Sequence, residues 1–331
     1  MEKPHVLVIG VGSIGLRHLE CFEATGRVRL SICDMNAEFR DRACQKCKVE
    51  KCFDDFDKAI EESFDAAVIA VPANIHIPVS TRLAENGVHL LIEKPLSTSV
   101  EGIDALERIV TEKNLVAAVA YVYHCHPALA AMRRAITEGR FGEPVQVYVI
   151  GGQHFPTFRP AYRDIYFKDR KTGGGTIQDA LTHLVNAAEW LVGPVTRLVS
   201  DAAHLMLDGV EAVEDTASLL TRHGNVLGTY MINQFQPANE LSMTVVCNRG
   251  MARFETQPLR WRYCLEPGDP WVDQDFPTLE RNDLFIAQAN AFLDSIEKGT
   301  PPVCTLAEAF NTLKCNLAAL ESLEDRQWKA I

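Results

Sequence analysis

No stretch of this 331-residue chain is apolar for long enough to cross a bilayer. Its longest apolar runs, such as LVAAVAYVY (Leu115–Tyr123), fall well short of the about 20 residues a membrane helix needs. A basic excess is also missing. The net charge is −11, with acidic residues spread along the chain, which disfavours nucleic acids and anionic membranes as partners. The opening MEKPHVLVIG has neither the basic region nor the small-residue cleavage site of a secretory signal, so a cytoplasmic protein is expected. Internal repeats and low-complexity tracts are absent. Ten cysteines are present, but Cys44, Cys47 and Cys52 in CQKCKVEKC have no second Cys/His pair at finger spacing. His124–Cys125–His126 has no carboxylate or third ligand close in sequence. No metal is expected on these grounds. Reduced thiols filling small apolar positions are expected, as are no disulfides in a reducing cytoplasm.

What is present divides in two. The chain exceeds the length at which one core stops growing, so two domains are expected, 1–123 and 124–331. In the first part, apolar runs of strand length alternate with helical patterns: His5–Gly10, Val28–Asp34, Phe64–Pro72, Val88–Glu93 and Leu115–Tyr123 as strands, with helices from Ser13 to about Ala24, to about Cys47, over Ile77–Asn86 and over Val100–Lys113. Strands without period-two alternation, separated by helices, predict a doubly wound parallel sheet covered on both faces. After Tyr123 the pattern changes. A strand at Pro144–Gly152, a polar and aromatic loop from Gln153 to Lys171 and a helix at about Ile177–Val192 lead into six further strand candidates between Val195 and Leu265. Two closing helices follow, at about Asp283–Lys298 and Leu306–Glu324. Successive strands joined by turn signals predict an α+β domain with a mainly antiparallel sheet.

In VIGVGSIG, Gly10, Gly12 and Gly15 fall in G-x-G-x-x-G spacing between a strand and a helix. The first permits a tight turn, the second lets backbone approach a pyrophosphate, and the third lets helix pack on strand. Free N–H groups at the helix start, around Ser13 and Ile14, meet phosphates. Asp34 ends the next strand, where a carboxylate accepts from ribose hydroxyls and repels a 2′-phosphate. NAD is therefore expected, while Arg17 and Arg40 keep NADP open. Val71, Pro72, Asn74 and His76 follow another strand and face the crevice on the nicotinamide side, although His76 serves equally well as a capping or packing residue.

Five segments together resemble the glucose–fructose oxidoreductase/inositol dehydrogenase (Gfo/Idh/MocA) family: GVGSIGLRHL, VPANIHIP, IEKPLS, AYVYHCHPAL and GGGTIQDALTHLVNAAEWLVG. The resemblance spans nearly the whole chain. It implies a Rossmann domain followed by a domain with an open antiparallel sheet, which commonly forms the oligomer interface, so a dimer or tetramer is expected. It also implies oxidation or reduction of a secondary alcohol or ketone on a sugar, cyclitol or related polyol. By resemblance Lys94 of Glu-Lys-Pro is the catalytic lysine, set with Glu93 beside the nicotinamide, and a cis Lys94–Pro95 bond is expected. The family's D-x-x-x-H element falls on Asp179 and His183. The chain departs from the family at His124, where an arginine is frequent, and at Leu181, where a small residue is common. Both departures bear on the substrate.

Chemically, Asp179 and His183 are four residues apart on a predicted helix, with Cβ atoms roughly 5–6 Å apart. A neutral imidazole suits removal of a hydroxyl proton, making His183 the general base. Asp179 either orients the ring or holds substrate. Lys94 supplies positive charge where an alkoxide develops, and Glu93 either pairs with it or faces solvent. Gly173, Gly174 and Gly175 open the helix, as a close approach to ligand or as a hinge. In the preceding loop Arg159, Arg163, Lys168, Arg170 and Lys171 mix with aromatics. Such a mixture suits a sugar bearing carboxylate or phosphate, or an oligomer contact. His154, Tyr162, Arg163 and Tyr166 are the substrate-binding candidates, with His126 a weaker one. An NAD-dependent dehydrogenase leads. A glycosidase that oxidises its sugar transiently, or a non-catalytic dinucleotide sensor, is the alternative.

Overall fold

The structure, a computed structural model, describes residues 3–331. The chain forms two compact units: one runs through Cys125 and takes up Leu279–Ala309, and the other comprises His126–Thr278 and Phe310–Ile331.

In the first unit six parallel strands, β1 (His5–Ile9), β2 (Arg29–Cys33), β3 (Cys52–Phe53), β4 (Ala66–Ile69), β5 (His89–Ile92) and β6 (Ala117–Val119), lie in the order β3-β2-β1-β4-β5-β6. Every residue of β1 and β4 is buried, which is why these strands read as unbroken apolar runs. The order reverses between β1 and β4, so the crevice beyond their carboxyl ends is a topological switch point. Leu115–Tyr123 contains less strand than its apolar run suggests: only Ala117–Val119 is extended, and Val122–Cys125 is a 3₁₀ turn. β3 has two residues, too few for a periodic signal.

The first unit is not continuous in sequence. Helix Asp283–Lys298 belongs to it, not to the later half, because Ala289, Phe292 and Leu293 join the core formed by Leu19 and Phe22 of helix Ser13–Ala24. Phe22 and Phe292 meet edge to face at 6.3 Å. Arg27 fastens the same helix by donating to Asn290, Asp294 and Glu297.

The second unit carries nine strands: β7 (Pro144–Gly152), β8 (Arg197–Ala203), β9 (Thr216–His223), β10 (Val226–Asn233), β11 (Glu240–Cys247), β12 (Gly250–Thr256), β13 (Leu259–Cys264), β14 (Val272–Asp275) and β15 (Lys329–Ala330). Their order is β14-β13-β12-β11-β7-β10-β9-β8-β15, antiparallel except for β7 beside β10. No residue pattern announces β14, whose VDQD is exposed throughout and carries no alternation. Helix Pro127–Thr137 is likewise unanticipated. Helix Thr182–Val192 packs on β7, where a Cβ on Gly151 would lie 3.0 Å from Leu184 Cδ1. No helix among the described residues is long and apolar enough to cross a membrane.

Candidate active site

The glycine-rich turn follows β1. Gly10 has φ +80°, and a Cβ there would lie 2.6 Å from Ala70 O; one on Gly15 would lie 1.7 Å from Gly10 O. Both glycines are demanded by the chain itself. Gly12 is different, because an added Cβ would meet only Phe39, at 3.8 Å. The open space over Gly12 and exposed Ser13 is the room a pyrophosphate requires at a helix start. Beside it a cleft of about 240 Å³ is lined by Ser13, by four cations, Arg17, Arg42, Lys46 and Arg281, and by one carboxylate, Glu20, which pairs with Lys46 at 3.1 Å, a net positive surround suited to phosphate. Asp34 is fixed by main-chain donors: Val11 N–H to Oδ2 at 2.7 Å and Asn36 N–H to Oδ1 at 2.8 Å. Its carboxylate is thereby held in one orientation with acceptor capacity left over for ribose hydroxyls. Arg40 Nη1 donates to the carbonyls of Asp34 and Met35, at 2.7 and 3.0 Å. The residues of this turn fit an NAD adenosine and pyrophosphate.

At the tip of β5, Lys94 is half-buried and the Lys94–Pro95 bond is cis. Glu93 does not face solvent. It is 5% exposed, its Oε1 accepts from His18 Nε2–H at 2.7 Å, and its Oε2 accepts from the Lys94 main-chain N–H at 3.0 Å. His18 escapes a reading of the sequence; its one signal is a histidine on the apolar face of Gly15, Leu19 and Phe22. His76 is fully buried, and its two ring nitrogens sit 2.8 Å from Val71 O and 3.0 Å from Pro95 O. Burial pushes its pKa below the ordinary value, against those two carbonyls and the Glu93 charge. Its ring is thus occupied by protein on both sides, whereas Asn74 is exposed and Val71 is half-buried. His124, at the family's frequent arginine position, is buried and donates from Nδ1 to Val303 O at 2.6 Å.

In the second unit the segment expected to be a loop, 153–171, is a chain of short helical turns around a small core of Phe155, Tyr162, Phe167, Leu207, Val210 and Val213. Tyr162 is therefore a core residue, its hydroxyl donating to Asp208 O and accepting from Arg163 Nε. Arg163 also faces Asp208 at 3.7 Å. His154 Nδ1 and Thr157 Oγ1 are 2.8 Å apart. Tyr166 is exposed and donates to Asp179 Oδ1 at 2.6 Å, while Arg159 Nη1 donates to Oδ2 at 3.0 Å. Asp179, 1% exposed, is thus clamped by two residues of the preceding segment, an arrangement its i,i+4 spacing to His183 does not foreshadow. The helix starts with a π turn, Ile177–Leu181, before His183 in the α-helical part. Two of the three glycines approach protein: a Cβ on Gly174 would lie 2.3 Å from Phe167 O, and one on Gly175 2.5 Å from Glu214 Oε1. Glu214 caps this helix through Ile177 N–H and holds Arg170. His126 lies edge-on to Phe254, and burial drives its pKa down to about 4.

The sequence profile of an oxidoreductase family with an NAD-binding Rossmann fold matches residues 5–121, and the family's C-terminal-domain profile matches residues 129–253. The chain belongs to the GFO/IDH/MocA family. It is accordingly an NAD-dependent oxidoreductase, built as a Rossmann unit and a mostly antiparallel sheet unit. Among GFO/IDH/MocA relatives, it is 26% identical to UDP-N-acetylglucosamine 3-dehydrogenase of Acidithiobacillus ferrooxidans, over 90% of each chain. It is 22% identical to the NAD-dependent scyllo-inositol 2-dehydrogenase of Bacillus subtilis, over 96% of this chain and 93% of that one. Levoglucosan dehydrogenase in complex with NADH and L-sorbose superposes with a TM-score of 0.90 at 20% identity, covering 100% of this chain and 99% of the other. That likeness fixes the fold.

Proposed function

We propose that the protein transfers hydride between a nicotinamide and a secondary hydroxyl or ketone of a sugar, cyclitol or sugar-acid derivative, with Lys94 and His183 as its catalytic side chains. The observation that carries this reading is the buried scaffold around Lys94: a lysine in an ordinary turn has no need of a buried carboxylate on the preceding residue. NAD, when bound, supplies the hydride acceptor. Gly12, Ser13, Ile14 and Asp34 hold its phosphates and adenosine ribose, and Val71, Pro72 and Asn74 line its nicotinamide side. His183 takes the hydroxyl proton as general base, while the Lys94 ammonium stabilises the alkoxide that develops. Asp179, already accepting from Tyr166 and Arg159, presents a fixed negative charge at the start of the helix that carries His183.

Among these substrates neutral polyols are favoured over sugar acids. Of the five cations that suggested an anionic ligand, Arg159, Arg163, Lys168, Arg170 and Lys171, the three arginines face Asp179, Asp208 and Glu214. The inositol named for one relative agrees with a neutral polyol, whereas the UDP-N-acetylglucosamine named for another carries a charged diphosphate beside its sugar. The exposed face of the sheet, where Ile150 stands opposite Met231 with Leu220 and Leu227 also exposed, fits a contact between copies of this chain. The functional test is NADH formation from NAD against a panel of cyclitols, aldoses, anhydrosugars and uronic acids. Turnover of a neutral polyol is expected. Release of free sugar from a glycoside without net NADH would make the protein a glycosidase instead, and no turnover of any class would overturn the reading.

A further inference from the structure

We propose that His18, on the helix that begins at the glycine-rich turn, is a positioning residue for Lys94, acting through Glu93. The inference rests on the assignment of Lys94 above. Three observations carry it. First, the pair is buried, with His18 1% and Glu93 5% exposed and 2.7 Å between Nε2 and Oε1. A buried carboxylate needs a partner, and well-packed apolar residues would serve stability as well or better. Second, the pair is directional. Glu93 N–H continues the sheet by donating to Ile69 O, and one carboxylate oxygen takes the histidine while the other takes the Lys94 N–H. Both the side chain and the main chain of Glu93 thereby fix the peptide from which Lys94 departs. Third, the ring cannot turn away, because it stands edge-on to Phe285 at 5.6 Å, and Gly15, one turn earlier, seats the helix directly on Gly10 O.

His76 holds the other side of the same turn through Pro95 O. The main chain is therefore gripped immediately before and immediately after Lys94. Because His18 rides on the helix whose first N–H groups receive pyrophosphate, the ammonium is referenced to the element that seats the cofactor. Misplacement of a reacting group by about 1 Å is enough to cost 10²-fold in rate.

The test compares His18→Leu, His18→Gln, the double variant His18→Leu/Glu93→Leu and Lys94→Ala, each by NADH fluorescence titration, thermal melting and steady-state turnover of a polyol identified by the panel. His18→Leu is expected to lower kcat about 10–100-fold, with the substrate KM and NADH affinity within about threefold. His18→Gln, which still donates to the carboxylate, recovers most of that loss. The double variant, apolar throughout, melts no lower than the parent yet turns over as slowly as His18→Leu, which also covers the case in which the single leucine variant does not fold. Parent-like kcat in the double variant, or in a folded His18→Leu, overturns the inference, as does a failure of His18→Gln to restore turnover. Parent-like kcat in Lys94→Ala would overturn the assignment of Lys94 itself, whereas loss there with parent-like His18→Leu would overturn only the role of His18.

Discussion

A lysine acts electrostatically only if its ammonium is held where charge appears, and Lys94 leaves a main chain pinned through Glu93 and Pro95. Lys94→Ala is therefore expected to lower kcat about 10²–10³-fold, the loss typical of one oxyanion donor. NADH binding should be retained, since the glycine turn and Asp34 are untouched; stopped-flow hydride transfer checks the first and fluorescence titration the second. Asp179 offers a second test. Its buried carboxylate accepts from the Tyr166 hydroxyl at 2.6 Å, so Tyr166→Phe leaves one oxygen with a lost donor. A cost of about 1–3 kcal/mol is expected, read from urea unfolding. A stability equal to the parent's would mean that the clamp contributes nothing to the fold.

At the scale of elements, the three glycines of the first turn make unlike demands. Gly15→Ala drives a methyl against Gly10 O at 1.7 Å, and backbone cannot yield cheaply, so a loss of at least about 1–3 kcal/mol is expected. Gly12→Ala meets nothing closer than Phe39 and should melt within about 0.5 kcal/mol of the parent. Yet it fills the space over the turn, so NADH affinity should fall at least about tenfold, the equivalent of roughly 1.4 kcal/mol. Melting curves beside NADH titrations separate the two, and a Gly12→Ala protein that binds NADH normally would show that the cofactor lies elsewhere. The same distinction explains what was legible in sequence. G-x-G-x-x-G, the apolar strands and the long helices announce themselves because local sterics and period dictate them. The His18–Glu93 bond joins residues 75 positions apart and Arg159–Asp179 joins residues 20 apart, so no local pattern encodes either. β14 has no apolar face, and Tyr162 in a loop-like, polar stretch carries no sign that it belongs to a core.

For the whole molecule, the division of the chain was legible only to the resolution of a single cut, since a late helix returning to the first unit leaves no mark in composition. The exposed apolar face of the sheet is a prediction at this scale. Met231→Lys, placing a charge beside Ile150, should shift the protein to a smaller species in size-exclusion chromatography; an unchanged elution volume would mean that this face is not the contact. Stability against pH is the other. Burial lowers the pKa of His5, His76, His89 and His223 below the ordinary 6.5, and that of His126 to about 4. The unfolded chain binds these protons near pH 6.5, whereas the folded chain takes them up only further down. Between those values the unfolded state holds more protons, so stability rises with pH there and is lost as pH falls. Buried Glu189 acts in the opposite sense. Its pKa is raised by burial despite bonds from Thr312, Val195 and Asn311, so its charging as pH rises from 4.5 through the folded value subtracts stability. A tenfold difference in proton affinity between the folded and unfolded chain is worth about 1.4 kcal/mol at one site, and five histidines here oppose one carboxylate. The melting temperature should therefore fall steadily from pH 7 toward pH 5. Replacing His126 by Phe, which keeps a ring against Phe254 and removes the proton, should flatten that fall; a parent-like pH profile in His126→Phe would place the acid sensitivity in other groups.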